Sequence, residues 1–235
     1  MTARLSRPSL RDQALAVLRQ AMVAGEIRPG EIHSAAALAQ QLGVSSGPVR
    51  EAMLTLVNQG LLEMVPNRGF RVPPVSDADL DEIYELRLML EVPAVESLAR
   101  STLETGEPPA DPLGLVRGHA DRCEEAAEAG DVTAFLTADR DFHLGLLAWH
   151  GNKRLLAVVE NLRDQTRLYG LQRLADDHRL LESAREHFRL LEEVVSGRPE
   201  EARDRMVTHL AHTRGDWSSP PSAAVPPRRA GRRTG

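Results

Sequence analysis

A Pro73-Pro74 pair splits the chain into two stretches of different hydrophobic period, and no other feature limits the fold so strongly. Before the pair, short apolar runs alternate with turn signals. Residues 10–24 place Leu15, Leu18 and Met22 on one helical face behind a Ser9 cap, and Gly25 stops the run. A Pro29-Gly30 turn leads to a short helix over 35–42, halted by Gly43. Val44 to Pro48 opens a third helix, with Ser45 as N-cap and Val49, Ala52, Met53 and Leu56 facing inward. Pro48 is tolerated there because the first turn has no use for its missing N–H. The helix ends near Gly60, and residues 61–65 and 69–72 read as two strands around a turn at 66–69. Three helices and a hairpin in about 70 residues describe a winged helix-turn-helix.

After the pair, every segment has helical period: 78–101, 113–129, 131–149, 153–170, 178–196 and 198–213. Gly151, Gly170 and the turn at 197–199 punctuate them. No stretch alternates as a strand would. The expected fold class is therefore mainly α: an N-terminal winged helix-turn-helix over 1–75, then an all-α antiparallel helical bundle over 76–216. Residues 217–235, rich in Pro, Ser, Ala and Arg, offer almost nothing to bury and are expected to form a disordered tail.

The 235 residues carry 29 Lys+Arg against 34 Asp+Glu, a net of −5 that by itself argues against a polyanionic partner. The total conceals three unlike parts. Residues 1–75 hold 8 Arg and 5 acids (+3), residues 76–216 hold 17 basic and 29 acidic residues (−12), and residues 217–235 hold 4 Arg (+4). A basic unit joined to an acidic one implies different partners for the two. The single cysteine, Cys123, excludes intramolecular disulfides and thiolate metal clusters, and it suits a reducing, cytoplasmic compartment. No apolar run approaches the roughly 18 residues of a membrane span, and the N-terminus has no signal-peptide core, so no membrane partner is expected.

A winged helix lays the N-terminal residues of its third helix against base edges, and its hairpin turn against phosphates or the minor groove. The candidate DNA-contacting residues are then Ser45, Ser46, Gly47 and Arg50, with Asn67, Arg68, Gly69 and Arg71 in the wing. Small residues at 45–47 permit close backbone approach. Arg50, one turn in, suits bidentate pairing with guanine O6 and N7. The competing reading is a protein-interaction module whose arginines form a solvated face. The order of elements and the local positive charge favour DNA.

In the bundle, Asp139 and His143 are four apart and share one helix face, a spacing that can hold a metal ion. His187 and His209 fall on later helices, at positions that an antiparallel bundle brings to a common depth. One carboxylate and three imidazoles suit Zn²⁺, with Ni²⁺ and Mn²⁺ as competitors. By spacing alone, the same residues are also compatible with inward-facing histidines of an ordinary core. His33, His119, His150, His178 and His212 show no such pattern, although His212, three residues after His209, is the nearest rival ligand.

Gly25, Pro29-Gly30, Leu38-Ala39, Gly43-Val44-Ser45, Pro48 to Ala52, Gly60-Leu61 and Gly69 together resemble the winged-helix domain of GntR-type bacterial transcriptional regulators. Two departures stand out. Ser46 replaces a usual Arg, and Ala35-Ala36-Ala37 replaces usual polar residues. Both remove DNA contacts, and a preference for GT…AC half-sites then rests on Arg50. Downstream, the Asp-x-x-Phe-His run at 139–143, Gly151-Asn152, His187 and His209 resemble the FCD effector domain of the FadR subgroup. The resemblance implies that Asp139, His143, His187 and His209 bind a divalent metal, which helps anchor a small carboxylate effector. It also implies that Arg87 and Asn152 belong to the effector pocket. A guanidinium suits bidentate capture of a carboxylate, and Arg87 is equally well spaced for an intrahelical pair with Glu91. An intact metal set argues against an acyl-CoA ligand.

The function these features predict is a ligand-responsive transcriptional regulator, a repressor. It would bind a palindromic operator in double-stranded DNA as a homodimer, since one winged helix reads only a half-site. The alternative is a metal-dependent enzyme acting on a small organic acid, tethered to a winged helix, with Asp141 or Glu186 as its base. A third possibility keeps the regulator and makes the metal purely structural.

Overall fold

Residues 8–74, 76–108, 113–174 and 180–217 are described by the computed structural model of the chain. The N-terminal unit runs α1 (Leu10–Val23), β1 (Ile32–His33), α2 (Ala35–Leu42), α3 (Ser46–Asn58), β2 (Glu63–Val65) and β3 (Gly69–Arg71). Local chemistry sets its boundaries. The Ser9 side chain accepts from the Asp12 N–H and the Ser34 side chain from the Ala37 N–H, each satisfying an otherwise orphaned helix donor. Gly43 closes α2 in the left-handed region at φ +66°, which turns the chain directly into α3. Leu18, Met22, Leu38, Val49, Leu56 and Phe70 meet beneath these elements as a core. Full burial of a side chain of this size stabilises the fold by about 1.5–3 kcal/mol.

The sheet departs from the expected hairpin in two ways. It has a third strand: β1 pairs antiparallel with β3, Ile32 opposite Arg71 and His33 opposite Phe70, giving the order β1-β3-β2. Two residues are too few to display an alternation, so periodicity does not reveal β1. Gly69 makes room for it, because a Cβ there would lie 2.4 Å from the His33 carbonyl oxygen and φ is +131°. Leu61 and Leu62, expected to begin the first strand, instead fold back in the turn that follows α3. Their N–H groups both donate to the Leu56 carbonyl, and both side chains are buried.

The C-terminal unit comprises α4 (Asp77–Thr105), α5 (Leu113–Ala129), α6 (Val132–Ala148), α7 (Lys153–Leu174), α8 (Leu180–Val195) and α9 (Pro199–Trp217). A capping box starts α4: the Ser76 side chain accepts from the Asp79 N–H, and the Asp79 carboxylate accepts from the Ser76 N–H. α4 lies along α9, α5 packs on α6 and α8, and α7 packs on α6 and α4. Their apolar faces close over Val95, Leu98, Phe142, Leu146, Leu190 and Met206.

α7 continues through Gly170, which was expected to end it; a single interior glycine costs a helix only about 1 kcal/mol. α9 includes Trp217, where the tail was expected to begin; residues 218–235, the rest of that tail, lie outside the described residues, as does His178. The two units meet where α1 and the end of α3 touch α7. Among the described residues, no helix is long and apolar enough to cross a membrane.

Candidate nucleic-acid interface and metal centre

The start of α3 and the wing form the two walls of one groove. Ser46 and Arg50 line it from α3, and Asn67, Arg68 and Gly69 line it from the β2–β3 turn, with Ala35 and Ala36 of α2 between them. Ser45, Ser46, Gly47 and Arg50 are all exposed. Ser45 sits at the N-cap in an extended conformation, but its hydroxyl makes no capping bond, so the helix does not use it. Asn67 holds the wing tip with φ +58°, a left-handed turn that asparagine tolerates. Arg71 is placed differently. It pairs with Glu63 directly across the hairpin, which ties its guanidinium to the sheet. The remaining seven sequence candidates stay exposed or line the groove.

Asp139, His143, His187 and His209 are brought together from three helices. α6 supplies the first two on one face, α8 supplies His187, and α9 supplies His209. One donor atom from each lies within 4.8 Å of all the others. Nε2 of His143 is 3.0 Å from Nε2 of His209, and Asp139 Oδ1 is 3.6 Å from His143 Nε2 and 3.2 Å from His187 Nε2. The imidazoles are at most 1% exposed, and the Asp139 side chain is 18% exposed, so the cluster opens on the aspartate side.

Electrostatics prepare these groups to be ligands. Burial, reinforced by the Arg163 charge, holds His143 well below the ordinary imidazole value, and burial also lowers His187. Both are neutral at physiological pH. Burial alone would raise Asp139, but its contacts with His143 and His187 and the Arg163 charge outweigh that and keep it ionised. A carboxylate on the far side fixes the tautomer of His209, whose Nδ1–H donates to Glu186 Oε2 at 2.8 Å and leaves Nε2 free to face the cluster. His212 donates to the other Glu186 oxygen at 2.6 Å, so it stands behind the cluster and not in it.

The donor set fits a divalent cation. His187 is fully buried, yet neither of its ring nitrogens makes a well-formed hydrogen bond, and Nε2 has only its 3.2 Å approach to Asp139. Leaving a buried polar atom unmatched costs about 1–3 kcal/mol. A cation among the four donor atoms would satisfy the inward-facing lone pairs, and a set of three nitrogens and one oxygen is one that Zn²⁺ accepts.

A buried charge cluster adjoins the open side. Arg163 Nη1 lies 3.3 Å from Asp139 Oδ2, and its other nitrogens donate to Glu91, which also accepts from Arg87 Nε at 2.8 Å. Burial and the neighbouring Arg87 charge bring Arg163 down to about 10, so it remains cationic at neutral pH. The intrahelical Arg87–Glu91 pair is therefore present, and Glu91 serves two arginines. The sequence reading passed over Arg163. On its own it reads as an ordinary helical arginine, because Glu91, the carboxylate it pairs with in the core, is 72 positions away in the chain.

Asn152 is not brought to this cluster. It is exposed, and its side-chain oxygen accepts from the N–H groups of Arg154 and Leu155, capping α7. The residues considered as enzymatic bases are also engaged elsewhere. Glu186 holds His209 and His212, and Asp141 pairs with Arg140 away from the cluster centre.

The sequence over residues 10–72 matches the family described as bacterial regulatory proteins, gntR family, and residues 82–212 match the FCD domain. The chain is 31% identical over 196 residues to the HTH-type transcriptional regulator YdhC of Bacillus subtilis, covering 83% of this chain and 85% of that protein. It is 33% identical over 165 residues to the HTH-type transcriptional regulator McbR of Escherichia coli, covering 68% and 70%. A stretch of 100 residues is 31% identical to the gluconate operon transcriptional repressor of Bacillus licheniformis, covering 43% and 41%. Among solved structures, E. coli McbR/YncC superposes with a TM-score of 0.76 at 28% identity, over 88% of this chain and 95% of that one.

Proposed function

The chain belongs to the GntR family of bacterial regulatory proteins and carries an FCD domain, and on that premise we propose that it is a repressor responsive to a divalent metal and a small carboxylate. It is a transcriptional regulator and not an enzyme. In this reading residues 1–75 bind a palindromic operator, residues 76–216 sense the ligand and dimerise, and the protein works as a cytoplasmic homodimer. Ser45, Ser46, Gly47 and Arg50 read base edges, and Asn67, Arg68 and Gly69 follow the backbone or the minor groove. Arg71, held by Glu63, shapes the wing.

The observation that carries the sensing half is the convergence of four donor atoms within 4.8 Å beside a buried guanidinium. Asp139, His143, His187 and His209 hold the ion, with Zn²⁺ as the first choice and Ni²⁺ or Mn²⁺ as competitors. When bound, the ion supplies a Lewis-acidic centre that attracts a carboxylate oxygen. Arg163, at the exposed side of Asp139, offers the complementary charge, and Glu91 couples Arg87 to it. Asn152 contributes by starting α7, the helix that carries Arg163. The ligand acts only through a difference in its affinity for two dimer geometries.

The test starts from random duplex DNA selected on purified full-length protein. The recovered duplex is then titrated with zinc-free protein, with zinc-loaded protein, and with zinc-loaded protein plus a panel of small organic acids. A two-fold-symmetric site whose affinity changes with zinc or with one acid is the expected result. Tight operator binding that responds to neither refutes the sensing half and leaves the DNA-binding half standing.

A further inference from the structure

Two neighbouring residues of α7 engage different partners. Arg163 points to the cluster and bonds Asp139 Oδ2 and Glu91. Asp164, also buried, faces away from the cluster, accepting from Arg140 Nε at 2.7 Å and lying 3.6 Å from Arg19 Nε of α1. α6 repeats the arrangement: Asp139 is a cluster residue, and Arg140, next to it, pairs with Asp164 and Glu160. The two helices are thus joined by a double rung, with Asp139–Arg163 on the inner side and Arg140–Asp164 on the outer side.

The outer side leads to the recognition helix. Arg19 lies 3.9 Å from Glu160 of α7 and donates through Nη2 to the Gln59 side-chain oxygen at 2.9 Å. Gln59 is the C-cap of α3. Its backbone carbonyl accepts from Gln165 Nε2 of α7 at 3.2 Å. Contact between the two units through α1 and the end of α3 therefore falls on residues 160–165 of α7, within one to three positions of Arg163.

We infer that residues 160–165 of α7 are the coupling element between the two sites, with Arg19 as the positioning residue that passes the state of the Asp139 cluster to α3. A change in the position of Asp139 alters the hold of Arg163. Because α7 is a stiff helix with side chains at 163, 164 and 165 pointing in different directions, any rotation or shift moves Asp164 and Gln165 with it. Arg19 and Gln59 then carry that shift into the orientation of α3. This inference rests on the proposed sensing function, since it supplies the route for a signal that the reading requires.

The experiment uses the full-length protein, the selected duplex and Zn²⁺ alone as the probe, with EDTA-treated protein as the reference. Arg19→Met keeps the aliphatic stem and removes the charge, and Gln165→Ala cuts the second link independently. In the wild type, zinc is expected to change operator Kd by roughly fivefold or more. In Arg19→Met the zinc-free Kd stays within about twofold of wild type, while the zinc-dependent ratio collapses towards one; by reciprocity, operator DNA then ceases to change zinc affinity. Gln165→Ala reduces the ratio in the same direction, and Arg19→Lys restores part of it. Thermal melting of each variant checks that the fold survives. A wild-type ratio that persists unchanged in both Arg19→Met and Gln165→Ala overturns the coupling route and leaves the sensing function intact. A wild type that binds zinc without any change in operator affinity overturns metal sensing, and this route with it.

Discussion

Replacing Glu91 with alanine removes the one carboxylate shared by two buried guanidiniums and leaves every proposed metal ligand in place. Glu91 is fully buried, and Arg87 and Arg163 are each 2% exposed. Burial pushes the Glu91 carboxyl up, but the Arg163 and Arg87 charges outweigh it and hold the group below its ordinary value, so it is ionised at neutral pH. Its loss takes from both guanidiniums the anion they share, in a medium that solvates them poorly, and leaves Arg163 with the longer contact to Asp139. Breaking a buried pair in this way costs about 3–5 kcal/mol. At roughly 2–4 °C per kcal/mol for a chain of this length, the melting temperature falls by about 6–20 °C. Calorimetry on EDTA-treated protein at one fixed concentration reads this without interference from metal binding or dimer mass action. A cycle of Glu91→Ala, Arg163→Met and the double variant isolates the pair, and the double variant is expected to recover part of the loss because one stranded charge is gone. A drop below about 2 °C, or strictly additive single variants, would show that Glu91 does not neutralise these arginines.

Other consequences follow from the same geometry. Saturating the cluster with Zn²⁺ at about 100 times its Kd is expected to add about 2.7 kcal/mol, or roughly 5–11 °C of melting temperature, and His187→Ala should abolish that gain. Because His143 and His187 have lowered values in the fold and ordinary ones when unfolded, the unfolded chain binds more protons below about pH 6.5. The metal-free protein should therefore keep its full stability above that pH and lose it as the pH falls towards the lowered folded values, a slope that His143→Ala with His187→Ala flattens. Arg50→Ala should cost about 1–3 kcal/mol and relax the preference at one base pair. Arg68→Ala should weaken all sequences alike and reduce the salt slope by about one; filter binding over a salt series separates the two. In Gly69→Ala the new methyl meets the His33 carbonyl, so operator binding should fall sharply while calorimetry shows the helical bundle melting as before.

The helical spans, the proline divide and the four-residue spacing of Asp139 and His143 were legible because each depends on neighbours in the chain. The same holds for Ser9 as a cap, whose bond reaches only three residues. β1 was not legible, since its two residues become a strand only when Gly69 opens a place beside β3. Arg163 escaped notice for a related reason. It looks like an ordinary helical arginine until Glu91, 72 positions away, is placed against it.

Asn152, assigned to the effector pocket by the family resemblance, and Arg71, offered for phosphates by its place in the wing, show the reverse case. The structure uses the first to cap α7 and the second to pair across the hairpin. Sequence alone settled that a basic winged helix precedes an acidic helical bundle, because period, caps and charge are properties of short stretches. It also named the four donor residues, though as an open alternative to ordinary core histidines. Only the tertiary structure decided that their donor atoms converge, that Glu186 orients His209 while His212 stays outside, and that α7 links the cluster to α3. Those facts depend on how separate helices rotate against one another. Helix rotation is fixed by packing of the whole core, and no local pattern encodes it.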